Sequence, residues 1–329
     1  MARLKAGLIG LGMMGRHHAR VLHELEGVDL VAVADPGGDP HGAASGLDVL
    51  PDAEALVRAG VDMAVVAVPT ALHEEVALVF ADAGVHVLVE KPLAPDAESA
   101  RRIAKAFINR GVAGCVGHIE RYNPALQELN RRLAEGALGE VYQVVTRRQG
   151  PFPARIDDVG VVKDLATHDI DLTRWVTGRD YVSISARTAH RSGRDHEDLV
   201  AVVGMLTGAV VASHLVNWLT PFKERVTVVT GERGAFLADT LHVDLTYYAN
   251  GTVPLEWESV ASFRGVSEGD VIRPAIAKRE PLLVEHEAFR DAVLGKEADV
   301  VTMEQGVRTV EVAEACLVAA SSGRVVDVA

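Results

Sequence analysis

The chain has 329 residues, 48% hydrophobic and 24% charged, with 33 basic against 46 acidic side chains and a formal net charge of -13. This is ordinary globular composition, long enough for two domains. The acidic balance argues against a nucleic-acid partner, and no apolar run approaches the roughly 20 residues of a membrane span.

The opening MARLKAGLIGLG is basic and then apolar, but it lacks a small-residue cleavage site and runs straight into a glycine pattern, so it reads as a first strand. From Leu4 to about Gly117, short continuous apolar runs (LKAGLIG, VDLVAVAD, VDMAVVAVP, VHVLVEKP, GVAGCVGH) alternate with stretches of helical periodicity. Continuous apolar strands separated by helices predict a doubly wound α/β sheet, parallel and covered on both faces. Cys115 and Cys316 lie alone inside apolar runs without metal-ligand spacing, as buried thiols of a reducing, cytoplasmic compartment would.

Beyond Gly117 the pattern changes. NPALQELNRRLAEG predicts a helix capped by Asn123 with Pro124 at its first position, GEVYQVVTRRQ a strand, and VVKDLATHDIDLTRWVTG a helix closed by Gly178. Long strands follow between Tyr181 and about Tyr248, including DLVAVVGML, AVVASHLVNWL and ERVTVVTG, with LTGAVV as a hairpin signal. This half is α+β and antiparallel in pattern. Two helical patterns, near Leu283–Val293 and Glu304–Ser321, close the chain.

Gly10, Gly12 and Gly15 form G-x-G-x-x-G between the first strand and the first helix, with Leu11, Met13 and Met14 between them. In that context the first glycine permits the turn, the second lets backbone amides approach a pyrophosphate, and the third permits close helix packing. Asp35 ends the second strand, 20 residues beyond Gly15, where a carboxylate accepts from the adenosine ribose. It would repel a 2'-phosphate, and no Arg or Lys between Pro36 and Pro51 compensates, so NAD is favoured over NADP. The plainer alternative for Asp35 is a turn acid before PGGD. Pro69 and Thr70 end the third strand run, where an open α/β sheet places its ligand, and His73 follows beside the cofactor or as a structural histidine.

Glu90 and Lys91 end the fourth long strand on the same edge as the glycine loop, facing the nicotinamide or, more plainly, solvent. Pro92 then fixes the chain's exit, with a cis bond possible there because the next residue is proline. In KDLATHDIDLTRW, Asp164 and His168 are four apart and share one face of a helix. An imidazole beside a carboxylate is a general acid–base pair; the alternative is a surface i,i+4 pair. Metal ligation by His168, Asp169 and Asp171, or by His190, Asp195, His196 and Asp198 of HRSGRDHED, fits the spacing poorly, and a polar hairpin loop is the simpler reading of the second tract.

GLIGLGMMGRHHAR, EKP and KDLATHDIDLTRWVTG, in this order and at these separations, resemble the Gfo/Idh/MocA family of NAD(P)-dependent oxidoreductases across essentially the whole chain. The resemblance implies an N-terminal Rossmann domain at 1–120 and, at 121–329, a C-terminal α+β domain with a large, mostly antiparallel sheet, the closing helices being able to pack back on the first domain. It implies an active site between them, with Lys91, Asp164 and His168 as the catalytic group. His168 would take the hydroxyl proton, Lys91 would stabilise negative charge on the same oxygen, and Asp164 would orient its neighbours.

GHIERYNPALQEL and RRQGPFPARIDDVGVVKDLATHDID are similar to the UDP-N-acetylglucosamine 3-dehydrogenase group of that family, implying oxidation of a UDP-sugar 3-hydroxyl to a ketone. Residues 121–163 carry seven basic groups against five acids, and Arg147, Arg148 and Arg155 near the proline-rich loop suit phosphate, while Arg131 and Arg132 read as a solvated helix face. Arg121, Tyr122 and Asn123 are candidates for sugar hydroxyls. The alternatives are an inositol or free-sugar dehydrogenase, an NAD-dependent glycosidase, and an NAD-sensing regulator without catalysis. DLVAVVGML and AVVASHLVNWL are apolar on both faces, which predicts a homo-dimer or homo-tetramer.

Overall fold

The computed structural model describes residues 3–153, 159–251 and 267–328. The chain divides into two compact units, one formed by residues 1–119 and 280–314, the other by residues 120–279 and 315–329.

In the first unit, β1 (Leu4–Ile9), β2 (Val28–Ala34), β3 (Val49–Leu50), β4 (Met63–Val66), β5 (His86–Glu90) and β6 (Gly114–Gly117) form one sheet in the order β3-β2-β1-β4-β5-β6. Every neighbouring pair is parallel. The connections run through α1 (Met13–Glu24), α2 (Ala53–Arg58), α3 (His73–Ala83) and α4 (Ala97–Arg110). Continuous apolar strands are what two covered faces require, and adjacent residues divide between them. Ile9, Val66 and Val89 join Phe80, Phe107 and Met303 on one side. Leu8, Val65 and Leu88 join Leu22 and Phe289 on the other. Phe289 comes from the helix Pro281–Val293 and Met303 opens the helix Met303–Ser322, so residues far along the chain complete both cores. Strand order reverses beside β1, between β2 and β4, and such a switch point opens a crevice at the strand carboxyl ends.

The second unit is built on nine strands: β7 (Val141–Pro151), β8 (Tyr181–Ala189), β9 (Leu199–Leu206), β10 (Val211–Asn217), β11 (Leu219–Gly231), β12 (Gly234–Asp239), β13 (Asp244–Gly251), β14 (Ser267–Ile272) and β15 (Val326–Asp327). Their order is β14-β13-β12-β11-β7-β10-β9-β8-β15. The β7–β10 pair is parallel and the other pairs are antiparallel. One face packs on α5 (Pro124–Ala134) and α6 (Thr167–Thr177), with Leu126, Leu129, Leu172, Val144, Val229 and Phe236 in the core. On β9, Val200, Val202 and Leu206 are buried, while Val203 and Met205 of the opposite face are 55% and 39% exposed. Among the described residues no helix is long and apolar enough to cross a membrane.

Two sequence expectations change. AVVASHLVNWL, read as one strand, breaks at Trp218, because the Asn217 side chain accepts from the Leu219 and Thr220 amides and turns the chain into β11. The helix expected over VVKDLATHDIDLTRWVTG begins as a π-helix, Val162–Ala166, before continuing as α6.

Candidate functional site

Gly10 has φ +93, and a Cβ there would lie 2.5 Å from the Ala67 carbonyl. A Cβ on Gly15 would lie 1.9 Å from the Gly10 carbonyl oxygen. A Cβ on Gly12 would meet nothing within 4 Å. Two glycines are thus demanded by the protein's own packing, and the third faces open space. α1 begins there without a side-chain cap or an acid in its first turn, so the amides of Met13 and Met14 begin a helix end suited to an anion. Asp35 follows β2 half-buried; its Oδ2 accepts from Leu11 N and its Oδ1 from Gly37 N, both at 2.7 Å. The turn role leaves room for the expected ribose contact, since each carboxylate oxygen keeps a further lone pair. Pro69 is exposed beyond β4 and precedes a short 3-10 turn at Thr70. These residues fit a dinucleotide.

His73 takes a different role from the cofactor contact considered for it. It is 1% exposed, with Nδ1 2.9 Å from the Pro92 carbonyl and Nε2 3.0 Å from the Val68 carbonyl. Burial drives its imidazole below the ordinary range against the pull of both carbonyls; a neutral ring donates to one of the two carbonyls and only packs against the other. The loop with the Pro92 carbonyl carries Lys91, whose peptide bond to Pro92 is cis. Lys91 is half-buried, directly after the buried Glu90.

In the second unit, Asp164 lies in the π turn and His168 in the first turn of α6; they are 8% and 9% exposed. The π turn is closed by the Thr167 amide reaching back to the Val162 carbonyl, and π turns of this kind recur at functional sites. Its start is fixed by Glu197, whose Oε1 accepts from Val162 N at 3.0 Å. A Cβ at Gly160 would collide with that carboxylate at 2.1 Å.

Two of the arginines considered for substrate are engaged with carboxylates of the protein itself. Arg121 makes a two-pronged bond to Asp171, Nε to Oδ2 and Nη2 to Oδ1, each 2.7 Å. Arg148 donates from Nε to Asp169 at 2.9 Å and from Nη1 to Glu120 at 2.8 Å. All five side chains are buried. Burial pushes the Glu120 carboxyl up, but the Arg148 cation overrides it and holds Glu120 below the ordinary range. These buried ion pairs tie α6 to β7 and to the turn before α5, fixing the helix that carries His168. Tyr122 is buried, and Asn123 caps α5 through its Oδ1 while its amide donates to the Thr240 carbonyl. Arg155 lies outside the described residues.

Arg225 of β11 escaped the sequence reading. Its side chain is 40% exposed, and its contact with Glu120 is a long 3.7 Å ion pair. Partial burial and the Arg148 cation lower its affinity for its proton, while Glu120, Asp169 and Asp164 act in the opposite sense. A guanidinium close enough to feel Asp164 and still open to solvent can receive an anion. Glu197 also escaped notice. Both residues sit in strand and hairpin contexts whose sequence signal is only "polar". Among the described residues no group of three or more His, Cys, Asp or Glu could hold a metal ion. In HRSGRDHED, the Asp198 carboxylate accepts from the Arg191 and Ser192 amides, as a polar hairpin requires.

Residues 4–118 match a family model described as oxidoreductase family, NAD-binding Rossmann fold, and residues 126–237 one described as the GFO/IDH/MocA C-terminal domain. The UDP-N-acetylglucosamine 3-dehydrogenase of Acidithiobacillus ferrooxidans is 30% identical over 301 residues, 89% of this chain and 90% of that protein. Its solved structure superposes with a TM-score of 0.84 at 27% identity, covering 98% of this chain and 99% of that one. Inositol 2-dehydrogenase 4 of Saccharopolyspora erythraea is 35% identical over 192 residues, 56% of this chain and 57% of that protein's length. GenD2 from gentamicin A biosynthesis, solved in complex with NAD, has a TM-score of 0.82 at 28% identity, over 99% of this chain and 97% of that one.

Proposed function

The chain belongs to the Gfo/Idh/MocA oxidoreductase family, and from that premise we propose an NAD-dependent dehydrogenase that oxidises a secondary hydroxyl of a nucleotide sugar, the 3-hydroxyl of UDP-N-acetylglucosamine or a close UDP-sugar, to a ketone. The observation that carries this reading is the similarity to the UDP-N-acetylglucosamine 3-dehydrogenase over nine-tenths of both chains, which takes in the unit holding Asp164 and His168. Arg225 adds a partly open cation within electrostatic reach of Asp164, of use to a phosphorylated substrate and of none to a neutral cyclitol. The two buried free thiols support a reducing, cytoplasmic setting.

Bound NAD supplies the hydride acceptor. The glycine loop and the start of α1 would hold its pyrophosphate and Asp35 its ribose. His168 removes the substrate hydroxyl proton, Lys91 donates a hydrogen bond to the same oxygen as negative charge develops there, and Asp164 orients the pair.

The test is NADH formation with a panel of UDP-sugars, inositols and free sugars, with a keto acceptor included to recycle retained cofactor. A UDP-sugar should be the best substrate, and Lys91→Ala should keep NAD binding while losing at least about a hundredfold in kcat. Turnover of UDP-N-acetylglucosamine by Lys91→Ala at the wild-type rate overturns the mechanism. Arg225→Ala should raise KM for the UDP-sugar about tenfold or more with kcat little changed. The higher identity of the inositol 2-dehydrogenase over its shorter match supports a second reading, oxidation of a free cyclitol. In that case inositol leads the panel and Arg225→Ala is silent.

A further inference from the structure

Next to Lys91, and wholly within the first unit, runs a chain of buried side chains that the redox chemistry does not use. Glu90 Oε2 accepts from the Lys91 backbone amide at 3.0 Å. Glu90 Oε1 lies 2.9 Å from His18 Nε2, and His18 Nδ1 lies 2.8 Å from His286 Nε2. The two rings meet edge to face with centroids 5.1 Å apart. Glu90 ends β5, His18 comes from α1, and His286 comes from the helix Pro281–Val293. Both imidazoles are fully buried and Glu90 is 7% exposed. Glu285, the residue before His286, is 1% exposed, and neither its carboxyl oxygens nor His286 Nδ1 has a hydrogen-bond partner.

Apolar side chains of the same volume would pack this space without leaving polar atoms unsatisfied, each of which costs about 1–3 kcal/mol. The arrangement is therefore a poor stabiliser and a good conduit. The bond to Glu90 needs a hydrogen on His18 Nε2. His18 Nδ1 is then the acceptor and His286 Nε2 the donor of the second bond, so the two neutral rings and the carboxylate form one directed hydrogen-bond chain ending at Glu90. Burial pushes the Glu90 carboxyl up, but His18 and Lys91 together hold it below the ordinary range, so it stays a carboxylate. Burial, with the Glu90 charge adding to it, keeps Glu285 protonated, and burial keeps His286 neutral. The other titratable groups facing these residues are His73 of α3 toward Glu90, His17 beside His18 on α1, and Cys115 of β6 toward Glu285.

We propose that His18 and His286 are positioning residues: as a buried imidazole pair they hold the Glu90 carboxylate against the Lys91 backbone amide, and through it set the placement and reactivity of the Lys91 amine. The inference rests on the dehydrogenase reading for its purpose, but its test does not need turnover. Lys91 acylation by acetic anhydride in the whole protein, followed by mass spectrometry across a pH series, reads the amine directly. Without His18 the buried Glu90 loses its donor, its carboxylate is no longer held at the Lys91 loop, and the amine is less restrained from reacting with the anhydride. In His18→Leu, Lys91 should acylate at least about threefold faster at a fixed mildly alkaline pH, and His286→Leu should shift the profile in the same direction by less. His18→Gln, which restores an N–H toward Glu90, should return the profile toward wild type. His18→Gln also serves if the leucine variant fails to fold, because a profile between wild type and Glu90→Gln is then expected. Unchanged profiles in folded His18 and His286 variants overturn the proposal. A shifted profile in a protein that oxidises nothing in the panel leaves the chain standing and removes the dehydrogenase reading instead.

Discussion

His214 sits near the middle of β10 with Nδ1 2.8 Å from Thr146 Oγ1 and Nε2 2.6 Å from the Tyr181 hydroxyl. Burial pushes its imidazole down to about 4. The unfolded chain binds this proton from pH 6.5 downward and the folded chain does not until about pH 4, so the unfolded state holds more protons in that window and stability falls as pH falls. The loss amounts to about 3 kcal/mol for this residue. His214→Gln should cost stability at neutral pH but flatten the dependence of the urea midpoint between about pH 4 and 6.5; an unchanged slope contradicts the assignment. At this scale the sequence disclosed residues more readily than roles. Lys91, Asp164 and His168 stood out because motif spacing marked them. Arg121 and Arg148 stood out too, but their carboxylate partners, 50 and 21 residues away, did not, so their bracing role was hidden. His18 drew no notice because Glu90 and His286 are 72 and 268 residues distant.

The loop from β1 to α1 separates two kinds of glycine. Gly12→Val should fill the open space left for phosphate and lose NAD binding by about tenfold or more while the thermal midpoint stays near wild type, measured by cofactor titration and calorimetry. Gly15→Ala should instead unfold the loop, because its Cβ has no room beside the Gly10 carbonyl. Equal stabilities for the two variants would refute this division. Helix ends were legible wherever a local rule governs them: Asn123 caps α5 with Pro124 following, and Gly178 ends α6 with φ +62. The π turn was not, because one widened turn leaves the apolar pattern of the helix almost unchanged.

Among the described residues, the nine-stranded sheet presents Val203, Met205 and Leu215 on the face opposite Val202 and His214, at 55%, 39% and 37% exposure. A second copy of the chain is the simplest cover, so light scattering should find at least twice 35.1 kDa, and Val203→Asp with Met205→Lys should reduce it to the monomer. A wild-type monomer would count against it. The fold class was legible at this scale because strand–helix alternation yields to long strands near residue 120, and the closing helices were expected to be able to pack back on the first domain, though not over which residues. The first unit takes back residues 280–314 after the second has been traversed. The consequence falls on biosynthesis. A ribosome that has made only residues 1–120 has released a sheet whose one face awaits Phe289 and whose other face awaits Val301, Met303 and Val307, and both stay incomplete until residues 289–307 are made. Expression of residues 1–120 alone should therefore give an aggregating fragment, and chaperones should find their longest-lived target at the amino-terminal half.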